Sequence, residues 1–390
     1  MGEHALEMAT ELPPVSSQRA RILLLSVAAV MGGAEVYLVR LAELLAAHAD
    51  LYAVCANPQL ARELSRLRVT VHQVPCPMGS RAQRVLKYPM LLIGTLWALA
   101  RHRIDVCHIS GYQAAFLLPL ARMNGCRAFV TPHHLPGGLA RRLYGIFVRC
   151  AHRVVNVSAT VDREHHALAP SVQTSVVRNW VPEIPSAMPQ RRPDSTKRVV
   201  FVGRLVASKG LPELIEAIRQ LRGGVSLQIA GEGPLQAEYE RISEGLPVEF
   251  CGYYPDLAKL YAGADALIVP SHGPEGSCLV ALEAMTQGLP CILSDLPVYR
   301  EIAENGRTAL VVPVGDVNAL AEAIRALIAD RAGAHRLATS AFEMMQSRYS
   351  PAAAALEYRA LFGLGEVSAS TASMSDSTVQ CQPPCGAANS

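Results

Sequence analysis

Two carboxylates and two cations are the residues best able to act on one ligand. Glu275 and Glu283 lie eight positions apart around the stretch Gly276-Ser-Cys-Leu-Val-Ala-Leu282, and Arg204 and Lys209 lie five apart in Phe201-Val-Gly-Arg-Leu-Val-Ala-Ser-Lys-Gly210. The acids bracket a helix start. Residues 264–270 read as a buried strand, 271–276 as a polar Gly/Pro loop and 279–287 as a helix of good formers. Glu275 therefore belongs to the loop and Glu283 to the helix, about a turn and a half in. Free N–H groups around residues 277–280 and the helix dipole would hold a diphosphate between the two acids. If the whole span were helical, at about 1.5 Å per residue the carboxylates would stand about 12 Å apart, which suits sugar hydroxyls at one end and ribose hydroxyls at the other. Near the cations, Gly203 permits close backbone approach, Arg grips phosphate oxygens as a fork and Lys adds a mobile charge. The Gly-rich loop Ile229-Ala-Gly-Glu-Gly-Pro234 reads either as a tight turn or as a further ligand contact.

Positioning these groups takes a large scaffold. The 390 residues, half of them hydrophobic, suffice for two α/β domains, each with its own core. The Pro-rich stretch 181–193 can carry neither helix nor strand far and divides the chain. Before it, strands are expected near 21–30, 51–55, 69–74, 106–109, 128–131 and 153–157, with a helix over 34–47 after Gly32-Gly33. After it, strands near 199–202, 226–230, 248–251, 266–269, 290–294 and 309–312 alternate with helices, the pattern of a parallel, doubly wound sheet. Such sheets bind ligands at the carboxyl ends of their strands, where the charged loops fall. The expected organisation is a flexible segment over 1–20, an N-terminal Rossmann-like domain over 21–182, a linker over 183–198, a C-terminal domain over 199–350, a terminal helix over 351–365 and a disordered tail over 366–390.

Composition narrows the function. A net charge of +3 and a pI near 8.3 are too mild for nucleic acid as a main partner. The ten cysteines show no repeated C-x2-C spacing, and Cys381-x3-Cys385 in the Ser/Thr-rich tail receives no function. No N-terminal signal pattern is read, and the apolar runs 22–30 and 88–100 are too short to span a bilayer, so a cytoplasmic protein is expected. Asn156-Val-Ser158 matches a glycosylation acceptor by chance on this reading. A dinucleotide dehydrogenase is disfavoured, because no G-x-G-x-x-G follows the first strand.

Taken in order, Gly203-Arg-Leu with Lys209-Gly210, Gly231-Glu-Gly-Pro234, Glu275 and Glu283 followed by Ala284-Met285 and Gly288-Leu-Pro290, Gly306, Val312-Pro313 and Gly315-Asp316 make a recognisable set. Over residues 199–327 the chain resembles the donor domain of retaining glycosyltransferases of the GT-B fold, glycosyltransferase family 4. The resemblance implies two doubly wound α/β domains facing a cleft, the N-terminal one on the acceptor side. It further implies transfer of a sugar from a nucleotide-diphosphate sugar, with anomeric configuration retained, to a glycan, polysaccharide or lipid-linked acceptor. Glu275 would then accept hydrogen bonds from the donor sugar and Glu283 from the ribose. Arg204 and Lys209 would neutralise the leaving diphosphate, the main catalytic effect. Gly203, Gly231, Gly276, Ser277, Cys278, Leu279 and Val280 would line the donor. No protein base is implied, since the leaving phosphate takes the acceptor proton on the same face.

The N-terminal half matches more loosely. Met31-Gly-Gly-Ala-Glu35 resembles the family's Gly-Gly-x-Glu opening, whose amides behind Gly32 and Gly33 face the donor phosphate, although a plain strand-to-helix turn favours the same glycines. Phe129-Val-Thr-Pro-His-His134 resembles the strand ending in a histidine beside the donor sugar, with His133 in register and His134 as the alternative. No cofactor and no metal are expected: two cations and a helix terminus replace the metal, and no two aspartates stand two apart to form the Asp-x-Asp motif of the other large glycosyltransferase fold. Cys278 and Ala309 stand where the family commonly has glycine, which bears on donor identity. The scaffold would also carry a nucleotide-sugar epimerase, a phosphorylase or a non-catalytic sugar-nucleotide-binding protein, the last disfavoured by the four charges together. Finally, Arg81, Arg84 and Lys87 precede the apolar run 90–100, Arg101 and Arg103 follow it, and Arg141, Arg142 and Arg149 flank 143–148. This pattern suits either a core helix with solvated ends or peripheral contact with an anionic membrane.

Overall fold

The computed structural model describes residues 19–76, 81–189, 197–222 and 224–364, with the side chains of 81–86 outside that set. The tail over 366–390, the cysteines in it and residues 190–196 of the linker also fall outside the described residues. In the first half the order is β1 (Ala20–Ser26), α1 (Gly33–Leu45), β2 (Ala49–Cys55), α2 (Pro58–Arg66), β3 (Thr70–Gln73), α3 (Arg81–His102) and β4 (Val106–Ser110). It continues through α4 (Leu118–Met123), β5 (Arg127–Thr131), α5 (Gly138–Phe147), β6 (Arg153–Asn156), α6 (Ala159–Leu168) and β7 (Thr174–Val176). The second half runs β8 (Arg198–Val202), α7 (Leu211–Gln220), β9 (Ser226–Ala230), α8 (Gln236–Ile242), β10 (Val248–Gly252), α9 (Leu257–Ala262) and β11 (Ala266–Val269). It closes with α10 (Leu279–Thr286), β12 (Cys291–Ser294), β13 (Leu310–Val312), α11 (Val317–Ala329), α12 (Arg331–Arg348) and α13 (Pro351–Phe362).

Both sheets are wholly parallel among the described residues, in the orders β3-β2-β1-β4-β5-β6-β7 and β10-β9-β8-β11-β12-β13. Central strands such as β1 and β11 are apolar on both faces because helices cover both, which is why they read as continuous rather than alternating runs. Each sheet reverses direction beside its first strand, between β1 and β4 and between β8 and β11. At these two points the carboxyl ends of neighbouring strands diverge and open a crevice.

Several expected boundaries move. Strand β1 begins inside the segment expected to be flexible, with Ala20 buried, and it stops at Ser26 rather than running to Val30. β8 takes Arg198 from the expected linker. The short edge strand β7 was not anticipated, because three half-buried residues carry no hydrophobic signature. More consequential is α13, which returns to the first domain. Ala354, Tyr358 and Phe362 join Tyr37, Phe129 and Trp180 in the core under β1 and β5, and the Tyr37 and Tyr358 hydroxyls bond one another. The chain thus crosses between domains twice, and the crossings are tied where Val181 N–H donates to Tyr349 O at 3.2 Å.

Candidate active site

Three loops of the second domain meet at one sheet edge. Gly231 has φ 142°, and a Cβ there would lie 1.9 Å from the carbonyl oxygen of Gly203. Gly210, at φ 67°, would place a Cβ 1.9 Å from the oxygen of Pro270. Only glycine allows these backbones to touch. Gly203 and Gly231, expected as donor contacts, are in the first place each other's contact. The His272 N–H donates to Ser208 O at 2.8 Å and ties the basic loop to the acidic one.

That junction brings Lys209 and Glu275 together. Lys209 Nζ donates to Glu275 Oε1 at 2.5 Å, with the carboxylate side chain 12% exposed. The sequence alone assigned these two residues to separate parts of a donor; folded, they form one ion pair. Arg204 is exposed. Its charge reaches across the crevice to Glu35, whose carboxyl is pushed up by burial and held back by the Ser26 hydroxyl, by local amides and by Arg204.

Helix α10 begins beside this pair. Its N-cap, Cys278, makes no side-chain cap, and the Ala281 and Leu282 N–H groups both donate to Cys278 O at 3.1 Å. The N–H groups of Leu279 and Val280 therefore have no intrahelical acceptor, as at any helix start. Burial pushes the Cys278 thiol up to about 12, so it is uncharged beside them. Ser277 is partly exposed at the same end.

The first domain closes over this surface. A Cβ on Gly276 would lie 1.4 Å from the oxygen of His133, so the acidic loop rests backbone to backbone on the His133 turn, where φ is 61°. His133 Nε2 lies 2.9 Å from Ser110 Oγ, its ring meets Tyr37 edge-on, and burial lowers its imidazole to about 3. His134 is lowered by burial, raised by Glu275 and lowered by Lys209. Of the two histidines, then, His134 is the one whose charge the Lys209–Glu275 pair feels, while His133 is held by Ser110 and by the turn.

Helix α1 approaches α10 at two points. Gly32 is the N-cap of α1, and a Cβ on Gly33 would stand 3.8 Å from Leu279 Cδ1. Further along α1, Arg40 donates through Nη2 to Glu283 Oε1 and through Nη1 to Trp180 O at 3.1 Å. Burial raises the Glu283 carboxyl, against Arg40 and Tyr261. Sequence reasoning gave no role to Glu35, Arg40, Ser110 or Tyr261. Glu35 stood in the quoted Gly-Gly-x-Glu motif, and Arg40 left only a faint sign, a cation between Tyr37 and Leu41 on the buried side of α1.

Known proteins share this arrangement. A family model described as "Glycosyl transferases group 1" matches residues 196–330, and one described as "Glycosyl transferase 4-like domain" matches residues 32–180. The chain belongs to the group 1 glycosyltransferases. This group 1 chain is 32% identical over 231 residues to a glycogen synthase of Mycobacterium tuberculosis, covering 55% of each. It is 38% identical over 139 residues to a GDP-mannose-dependent alpha-(1-6)-phosphatidylinositol dimannoside mannosyltransferase of the same organism, covering 33% of this chain and 35% of the relative. It thus spans about half the length of the curated relative it matches over 231 residues. Among solved structures, Anabaena HepE in complex with UDP and glucose has a TM-score of 0.74 at 19% identity, covering 86% of this chain and 97% of that one. Sucrose-phosphate synthase of Thermosynechococcus elongatus has a TM-score of 0.75 at 23% identity, covering 89% and 100%. The fold is therefore the GT-B arrangement of two parallel-sheet α/β domains.

Proposed function

We propose that the crevice binds a nucleotide-diphosphate sugar and transfers its sugar, with retention and without metal, to a glycan, polysaccharide or lipid-linked acceptor. One observation carries the reading: the Lys209–Glu275 pair sits beside the uncapped start of α10 and is covered by the His133 turn. Glu275 accepts from the donor sugar, and its bond to Lys209 orders both side chains before the donor arrives. The Leu279 and Val280 amides, with Lys209 and Arg204, take up the charge that grows on the departing diphosphate, and fixed donors of this kind commonly supply most of the rate. His133, neutral near pH 7, serves as a hydrogen-bonding wall on the acceptor side. The leaving phosphate removes the acceptor proton. HepE, crystallised with UDP and glucose, supports a nucleotide-sugar donor. The test incubates purified protein with a panel of UDP-, GDP- and ADP-sugars and follows donor hydrolysis, with thermal shift in parallel. Neither turnover nor stabilisation by any of them would refute the proposal.

The acceptor side favours a lipid-linked substrate at an anionic leaflet, on the cytoplasmic face. Along α3, Ile93, Leu96 and Trp97 are exposed at 67%, 43% and 51%, and on α5 so are Leu139, Leu143 and Ile146. Tyr88 at the start of this stripe packs on Phe116, which lies between the two helices in the sequence. A cleft of about 530 Å³ beside Arg141 and Arg142 adjoins the α5 residues. No helix among the described residues is long and apolar enough to cross a membrane, so these side chains would enter only the interfacial layer. Binding to anionic but not zwitterionic vesicles at low salt is expected; equal recovery in the supernatant with both would refute this part.

A further inference from the structure

Arg40 is the unexplained cation of the crevice. It is buried on α1, and its bond to Glu283 is an ion pair that joins the two domains. Its second bond, to the Trp180 carbonyl, anchors it to the chain just before the domain crossing. The guanidinium therefore links three things: the first domain, the connector and the acid of α10.

We propose that Arg40 is a positioning residue of the donor site, contributed by the opposite domain, which holds the Glu283 carboxylate ionised and aimed at the ribose only when the domains are together. The inference rests on the donor-site reading above and adds a specific consequence. Glu283 is 17% exposed, too dry to carry a charge comfortably without a partner. A carboxylate has about four acceptor positions, so the bond to Arg40 leaves places for ribose hydroxyls. The groups around Glu283 are Arg40 and, a turn further along α1, Glu43; Tyr261 of α9; Cys278 at the start of α10; and Cys291 of β12 beside Tyr261. Arg40 is the only one of these that is positively charged. Without it, desolvation is opposed only by the Tyr261 hydroxyl, the carboxyl binds a proton more readily, and a neutral acid is a poorer acceptor for two hydroxyls. Domain closure and nucleotide affinity are thereby joined through one side chain.

The experiment titrates the intact protein with UDP, GDP and ADP by calorimetry and follows whichever binds the wild type, from about pH 6 to about pH 9. Arg40→Met should weaken nucleotide binding about tenfold near pH 7, the scale of one charge-assisted hydrogen bond. The loss should be largest at low pH and should shrink as pH rises and Glu283 ionises again. Arg40→Lys should restore most of the affinity. In Glu283→Gln, adding Arg40→Met should cause little further loss, because the two changes remove one interaction. If Arg40→Met misfolds by thermal unfolding, the lysine variant and the Glu283→Gln background carry the test. Wild type that binds none of the three nucleotides would overturn the donor-site reading together with this inference. Wild type that binds, with Arg40 variants matching it at every pH, would overturn the inference alone, as would additive losses in the double variant.

Discussion

Replacing Gly276 by alanine tests whether the two domains must meet for turnover. The new Cβ would fall 1.4 Å from the His133 oxygen, in the other domain. Non-bonded carbon and oxygen need about 3.5 Å, so the acidic loop and the His133 turn must separate by about 2 Å. No flexible side chain can yield, because the obstacle is backbone. Gly276 has no left-handed φ, so alanine suits its conformation and the clash is the whole effect. A misplacement of about 1 Å at a reacting centre costs about a hundredfold in rate, so sugar transfer should fall at least about a hundredfold. Because closure also sets the Arg40–Glu283 bond, nucleotide affinity should fall by up to about tenfold, well short of the loss in transfer, and since no core is disturbed the melting temperature should shift by no more than about 2 °C. Initial rates, calorimetry and thermal unfolding on one preparation check all three. A Gly276→Ala enzyme with more than about a third of wild-type turnover would refute the idea that this contact forms in the active state.

The same size of clash within one domain should behave differently. Gly231→Ala drives a Cβ to 1.9 Å from Gly203 O at a strained φ, so it should lower the melting temperature or prevent soluble expression, and unaltered stability would count against it. Glu275→Gln should lower transfer about a hundredfold or more while leaving nucleotide affinity nearly intact, and Arg204→Ala should weaken both; full activity in either would sink the assignment. Tyr358→Ala should destabilise the first domain by about 3–5 kcal/mol, the usual effect of deleting a buried aromatic ring, seen as an earlier thermal transition. If α13 belonged energetically to the second domain, that transition would not move.

The strands and the loops between them were legible in the sequence because a strand covered on both faces must be apolar throughout and a backbone contact must be glycine, both local requirements. Residues 226–230 and 266–269 are cases in which the expected strand and the observed one coincide. The start of α10 could be read too, because Leu279 begins a run of helix formers after a Gly/Pro loop. The charge types of the site could likewise be named from motif and spacing. What could not be read were the partners. Lys209 and Glu275 are 66 residues apart, Arg40 and Glu283 are 243 apart, and no local preference connects them. Their pairing depends on strand order, on two crossings between domains and on how closely the crevice closes. The same reason hid the home of α13, whose amphipathic face fits any apolar surface until Tyr37 and Phe129 supply a particular one. Sequence determined which residues could do chemistry and which elements would carry them, because those properties are set within a few neighbours. Only the tertiary structure decided which acid meets which cation, because a buried charge takes its partner from whatever the packed domains bring within reach.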